Sequence, residues 1–239
     1  MRITVRQLVV GAILGALSIV LSMTPIGFIP VPTPAGAATT MHIPAILGGI
    51  LEGPVVGAFV GLIFGLTSYL RAGTAAFADP LVAVVPRIFI GVVAYYAFRA
   101  ASGRMVRPLV AVVIGLAAGD TTFRAAGFFA PLKHATATWP AGAMPALAVL
   151  VGLAVAVLSW YLLSGANGAP ALGAMAGTLT NTVGVLGLMT WRGYLVPQAA
   201  FAVGVLHGLP EILAAVILTV AIYRAVERAF GAYRIAARH

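Results

Sequence analysis

The sequence predicts an all-α integral membrane protein of about eight spans, on three observations. Of 239 residues, 62% are hydrophobic and 8% charged, whereas an ordinary soluble domain is roughly 45–50% apolar and about 25% charged. The mean hydropathy is +1.08, which leaves too little polar side chain to wrap the rest in water. The 14 Lys and Arg outnumber the five Asp and Glu, for a net charge of +9, and they gather at the ends of apolar runs as the positive-inside rule requires. Together these exclude a soluble enzyme, a disordered tail and a nucleic-acid-binding domain. The absence of cysteine excludes disulfides, thiolate metal sites and Cys nucleophiles.

A spanning helix needs about 20 apolar residues, because the hydrocarbon core is about 30 Å thick and each residue rises about 1.5 Å. The run 5–25 follows Arg2 and Arg6 and is too long for a signal-peptide core, so it reads as a retained first helix. Residues 25–36 hold four prolines and two glycines in twelve positions, which precludes a regular helix. The run 40–51 is short and stops at Glu52-Gly53-Pro54, a tight turn into 55–71; so short a helix works where its ends sit in protein rather than lipid. After a loop at 71–80, Asp79-Pro80 form an N-cap and a first-turn proline for the run 81–99. A weaker run at 108–119 and a strong one at 143–164 form a hairpin with its tip at 120–142. Loops at 165–170 and 193–197 bracket 172–191, and 199–223 is the last span. With both termini in the cytoplasm of a multi-pass cell-membrane protein, this topology places Arg99, Arg104 and Arg107 inside, along with Arg224, Arg228, Arg234 and Arg238. Arg124 and Lys133, on the hairpin tip, fall on the wrong side. The whole of 1–239 reads as one transmembrane domain carrying an inserted hairpin at about 105–168.

Polar residues inside the spans are few. An Arg at mid-helix costs about 2.5–3.5 kcal/mol on insertion scales, so each is a functional candidate. Arg87 lies about 10 Å below the outer surface, Asn181 about 15 Å, and His207 at a similar depth with Glu211 one turn on along the same face. Two readings stay open. One is a pocket for a small polar molecule, in which Arg87 holds an anionic group and Asn181 offers both donor and acceptor. The other is an internal network in which Arg87 pairs with Glu211. Trp191 is either an interfacial belt residue or a pocket lid. Arg71 and Asp79 flank one outer loop and suggest a local ion pair. His42 and His207, without a carboxylate cluster, do not make a metal site. There is no catalytic triad and no phosphate loop, so the chain reads as neither an enzyme nor an ATPase. In the first helix, Gly11, Ala12, Gly15 and Ala16 form overlapping small-xxx-small pairs that serve either internal packing or docking of a partner helix.

Met41-His42-Ile43-Pro44, Gly53-Pro54, the stretch Gly61-Leu62-Ile63-Phe64-Gly65-Leu66-Thr67-Ser68, Asp79-Pro80-Leu81, Pro86-Arg87-Ile88 and Gly177-Thr178-Leu179-Thr180-Asn181-Thr182 resemble the substrate-binding S component of energy-coupling factor (ECF) vitamin transporters. The resemblance covers about 5–103 and 172–230, and the pantothenate-type members are the most similar. It implies a six-helix S-component core that captures a water-soluble vitamin from outside without a cofactor of its own. Arg87, Asn181, His207, Glu211, Arg71, Thr67 and Trp191 would form the site. It also implies docking through Ala12 and Ala16, with Gly11 and Gly15 beside them, onto a transmembrane coupling subunit and two subunits that use ATP. The hairpin at 105–168 exceeds the family's pattern. Folate, riboflavin or a related metabolite, and an ion-coupled secondary transporter with Glu211 as its titrating acid, are the alternatives.

Overall fold

Helix α1 (Val5–Met23) starts at a reciprocal cap. The Thr4 hydroxyl accepts from the Gln7 N–H at 3.2 Å, and the Gln7 side chain accepts from the Thr4 N–H at 3.0 Å, satisfying two of the orphan donors at a helix start. The computed structural model describes residues 3–30, 37–101, 106–129 and 143–236. After α1 the proline-rich segment makes one 3-10 turn (Pro25–Gly27) and then β1 (Phe28–Pro30). This strand pairs antiparallel with β2 (Ala37–Thr39), Phe28 opposite Thr39. Residues 25–30 form no regular α-helix, as expected, and 31–36 lie outside the described residues; the ribbon is an addition to the sequence reading.

Helix α2 (Ile43–Glu52) has ten residues, and the eight from Ile43 to Ile50 are all buried. This is the condition under which a short apolar helix survives in a membrane protein. Gly53, at φ 104°, makes the turn, and Pro54 opens α3 (Pro54–Leu70). Asp79 caps the four-residue α4 (Pro80–Ala83), and after a break at Val84 the chain continues as α5 (Val85–Ala100). Helices α2, α3 and α5 meet backbone to backbone: a Cβ on Gly57 would lie 2.8 Å from the Cα atoms of both Gly49 and Gly91. Small residues permit this approach where lipid supplies no hydrophobic drive between helices.

Helices α6 (Val106–Phe129), α7 (Ala143–Ser164), α8 (Gly168–Trp191) and α9 (Pro197–Ala236) complete the chain. Three bounds differ from the sequence reading. Helix α6 runs ten residues past the apolar run 108–119; Lys133 lies outside the described residues, as does the side chain of Arg124. Helix α8 starts inside the expected loop 165–170, because Pro170 falls in its first turn, where no N–H is needed. Helix α9 continues 13 residues past 223, since hydropathy falls there while Ala, Arg and Glu remain good helix formers.

The chain divides into two compact units, residues 1–99 with 170–239, and residues 100–169. The first holds the core, centred on Ile46, Leu47, Val60, Ile90 and Ala94. Far from the ribbon along α1, Arg6 pairs with Glu52 at 2.8 Å and Gln7 donates to the Glu52 carbonyl at 2.9 Å. These contacts tie the start of α1 to the α2–α3 turn. In the second unit α6 and α7 pack antiparallel through Gly115, Gly119, Ala148, Gly152 and Ala156. Arg107 donates to the carbonyls of Ala101 and Ser164 at 2.7 and 3.0 Å and closes the open end of that hairpin.

The fold is that of an all-α integral membrane protein. Among the described residues, four helical segments (Val5–Met23, Pro80–Ala100, Gly168–Trp191 and Pro197–Ala229) are long and apolar enough to cross a membrane, and three shorter apolar helices accompany them.

Candidate functional site

A cavity of about 560 Å³ opens in the first unit, within the size range of small-molecule sites. The end of α1, the β1–β2 ribbon, the end of α3, the loop 71–79, α5, α8, the loop 192–196 and α9 all contribute to its wall.

Arg87 enters this wall for a reason written in its neighbour. Residue 86 is proline, so the Val82 carbonyl, four residues back, has no helical donor. The Arg87 guanidinium takes that place and donates to Val82 O. Arg87 is 4% exposed, with the rings of Phe64 and Phe77 centred 5.5 and 5.2 Å from its Cζ. Its Nε is buried and has no partner. On the same cavity wall Asn181, 7% exposed, has its Oδ1 buried and unpaired as well. An unsatisfied buried polar group costs about 1–3 kcal/mol, more when charged, so a donor and an acceptor left open in one cavity mark where a polar ligand would be held.

Glu211 does not pair with Arg87, contrary to the network reading. Its Oε1 accepts from the Thr39 N–H at 2.8 Å and the Thr39 hydroxyl at 3.1 Å, and its Oε2 accepts from Thr182 at 3.4 Å. The carboxylate thus fastens the ribbon to α9 and α8. His207, one turn earlier on α9, also lines the cavity. Thr67 is present, but its hydroxyl is spent on the Ile63 carbonyl at 2.8 Å. Arg71 lines the cavity and donates to the Ser22 carbonyl at the end of α1. Six of the seven expected side chains therefore share one cavity. Trp191 does not reach it: the last residue of α8 is 72% exposed, turned away from the lining.

The expected pair of Arg71 with Asp79 is replaced by a longer-range one. Arg192 Nε donates to Asp79 Oδ2 at 2.7 Å, and the Tyr194 hydroxyl donates to the same oxygen at 3.4 Å. Asp79 Oδ1 meanwhile caps the next helix, accepting from the Leu81 N–H at 3.0 Å. Burial alone would push the Asp79 carboxyl up. The Arg192 hydrogen bond outweighs this, with the Leu81 N–H, the Arg192 charge and Tyr194, and holds it below the usual carboxylate value. Arg71 lacks this pairing because its guanidinium is directed to α1.

The sequence reading missed Phe64, Phe77, Thr39, Thr182 and Met189 on the cavity wall. Thr182 sits next to Asn181, and that proximity was the available signal. Phe77 and Met189 carried none, since apolar residues are everywhere in such a chain. His42 is fully buried off the cavity, its Nε2 3.0 Å from Thr178 Oγ1. Because Thr178 donates to the Ala174 carbonyl at 2.9 Å, His42 Nε2 is the donor to Thr178. The small residues of α1 divide by face. Gly11 and Gly15 are buried against α3, where added Cβ atoms would lie 3.3 Å from Val56 and 2.6 Å from Ile63. Ala12 and Ala16 face outward. The expectation that all four serve docking is thus corrected for the two glycines, whose missing side chains are needed by α3.

Two comparisons bear on this chain. The family model described as ECF transporter, substrate-specific component, matches residues 6–223. Over an alignment 87 positions long, the chain is 30% identical to the pantothenic acid transporter PanT of Lactococcus lactis subsp. cremoris (strain MG1363), covering 28% of this chain and 44% of that relative. The match thus spans less than half the length of the curated relative.

Proposed function

We propose a function from one premise: the chain belongs to the substrate-specific components of ECF transporters, whose family model spans residues 6–223. The protein is the membrane-embedded capture subunit of an importer for a small, water-soluble, monoanionic vitamin, and pantothenate is the ligand that suits it. The observation that carries this reading is the cavity in which Arg87 Nε and Asn181 Oδ1 are buried without partners. The cavity wall carries the two guanidinium groups of Arg71 and Arg87 and one carboxylate, Glu211, which leaves a single positive charge for a ligand to neutralise. Pantothenate brings one carboxylate for Arg87 and hydroxyl and amide donors for Asn181. The match to PanT supports the same choice.

The ligand enters from outside past the ribbon and the loops 71–79 and 192–196. With both termini cytoplasmic, Arg6, Arg99 and Arg224 lie on the inner side, as the charge rule requires. The outward-facing Ala12 and Ala16 dock the loaded protein on a transmembrane coupling subunit, and two partner subunits hydrolyse ATP to drive inward release. Residues 105–168 are an inserted hairpin outside the capture machinery.

The test is thermal unfolding of the purified protein against a panel of B vitamins. At 100 times its Kd a ligand adds about 2.7 kcal/mol of stability, so pantothenate raises the unfolding temperature and the others do not. Stabilisation by a different vitamin would replace the ligand and keep the capture role. Silence across the panel, with folded protein, would overturn the vitamin reading.

A further inference from the structure

Asp79 and Arg192 join the two loops that contribute Phe77 and Leu195 to the cavity wall. Phe77 precedes Asp79 by two residues, and Leu195 follows Arg192 by three. The position of Arg192 is set by a defined turn. Gly193, at φ 79°, closes α8 with paired backbone bonds, Gly193 N–H to Thr190 O at 3.1 Å and Tyr194 N–H to Met189 O at 2.8 Å. This Schellman arrangement needs a left-handed residue between Arg192 and Tyr194. It sets both side chains on the same Asp79 oxygen. On the other side, Asp79 is fixed by its own role as helix cap. This turn and a helix start are thus joined by one carboxylate, and Phe77 lies against Arg87 beneath the joint.

We propose that the Asp79–Arg192 pair is a clasp that controls passage between solution and the cavity, with Asp79 and Arg192 as positioning residues that touch no ligand. Neither side chain lines the cavity. Breaking the pair frees the two loops to part and leaves Arg87 and Asn181 in place, so ligand association and dissociation quicken together while affinity changes little. The proposal rests on the cavity being the capture site only for its consequence in transport.

The test needs no ligand. The chain has no cysteine, so Ser68→Cys places a single thiol on the cavity wall and Ala75→Cys an exposed control on the loop. The rate of modification by a charged methanethiosulfonate reagent is measured on folded, monodisperse protein. With Ser68→Cys, added Arg192→Gln or Asp79→Asn raises the rate at least about fivefold relative to the control, Arg192→Lys leaves it near the parent, and 1 M salt accelerates the parent but not Arg192→Gln. Should a variant fail to fold, the salt response of Ser68→Cys against Ala75→Cys decides alone. Unchanged rates in Arg192→Gln, equal acceleration by Arg192→Lys, or salt insensitivity of the parent would overturn the clasp. Failure of pantothenate to bind would remove the ligand reading and leave this result untouched.

Discussion

The cavity of the first unit and the groove between α6 and α7 are close in size, about 560 and 470 Å³, and differ in almost everything else. The first is walled by two guanidinium groups, a carboxylate and a carboxamide, with one buried donor and one buried acceptor unpaired. The groove is lined by Val, Leu, Ala, Gly and Pro with the single polar residue Asp120, and its glycines are there to let two helix backbones touch. Volume alone therefore does not identify a site. What marks the first is a donor and an acceptor left open together on the wall of one cavity, where a polar ligand can reach both.

Mutations can break this contrast from either side. The largest effect expected is that of Arg87→Ala, which removes a buried guanidinium from the cavity wall and weakens pantothenate binding by about 30-fold or more, read by calorimetry. Asn181→Ala is smaller, about threefold to tenfold, as for one neutral hydrogen bond. Gly61→Ala acts from behind the site: a methyl there collides with the Arg87 carbonyl, so the folded state loses about 1–3 kcal/mol, as overpacked cores do, visible in thermal unfolding.

The Asp79 clasp is also open to titration. Its carboxyl sits below the usual value, so its contribution to stability is full above the unfolded value of about 3.9 and is lost as pH falls through the lower folded value. Wild type should therefore unfold at a higher temperature than Asp79→Asn at pH 7, and the difference should shrink as pH falls through the lower folded value, where Arg192 and Tyr194 come to face a neutral group in both. The smallest effect is expected in the hairpin, where Leu153→Ala should leave pantothenate affinity within about twofold, as ordinary surface substitutions do.

Much of this was legible before the fold. Arg87, Asn181 and Glu211 stand out because charge and amide are rare in apolar runs, and helical rise alone brings them to similar depth. Gly53-Pro54 and Asp79-Pro80 announce their turn and cap through backbone chemistry that does not depend on neighbours. What was hidden depends on partners far along the chain. Asp79 is joined to a residue 113 positions away, and Glu211 to Thr39 across 172, which no local pattern encodes. The ribbon is made of three-residue strands, too short to show a period. Trp191 misled because an aromatic at a helix end fits belt and lid equally well, and the difference lies only in its direction.

The contrast between cavity and groove can be measured in one protein system by asking where the ligand shields a thiol. Single cysteines at Ser68, on the cavity wall, and at Leu153, in the groove, are modified with and without saturating pantothenate. The account predicts that pantothenate slows modification at Ser68→Cys and leaves Leu153→Cys unchanged. Protection at Leu153→Cys, or equal rates at Ser68→Cys under conditions where binding is detected, would contradict it.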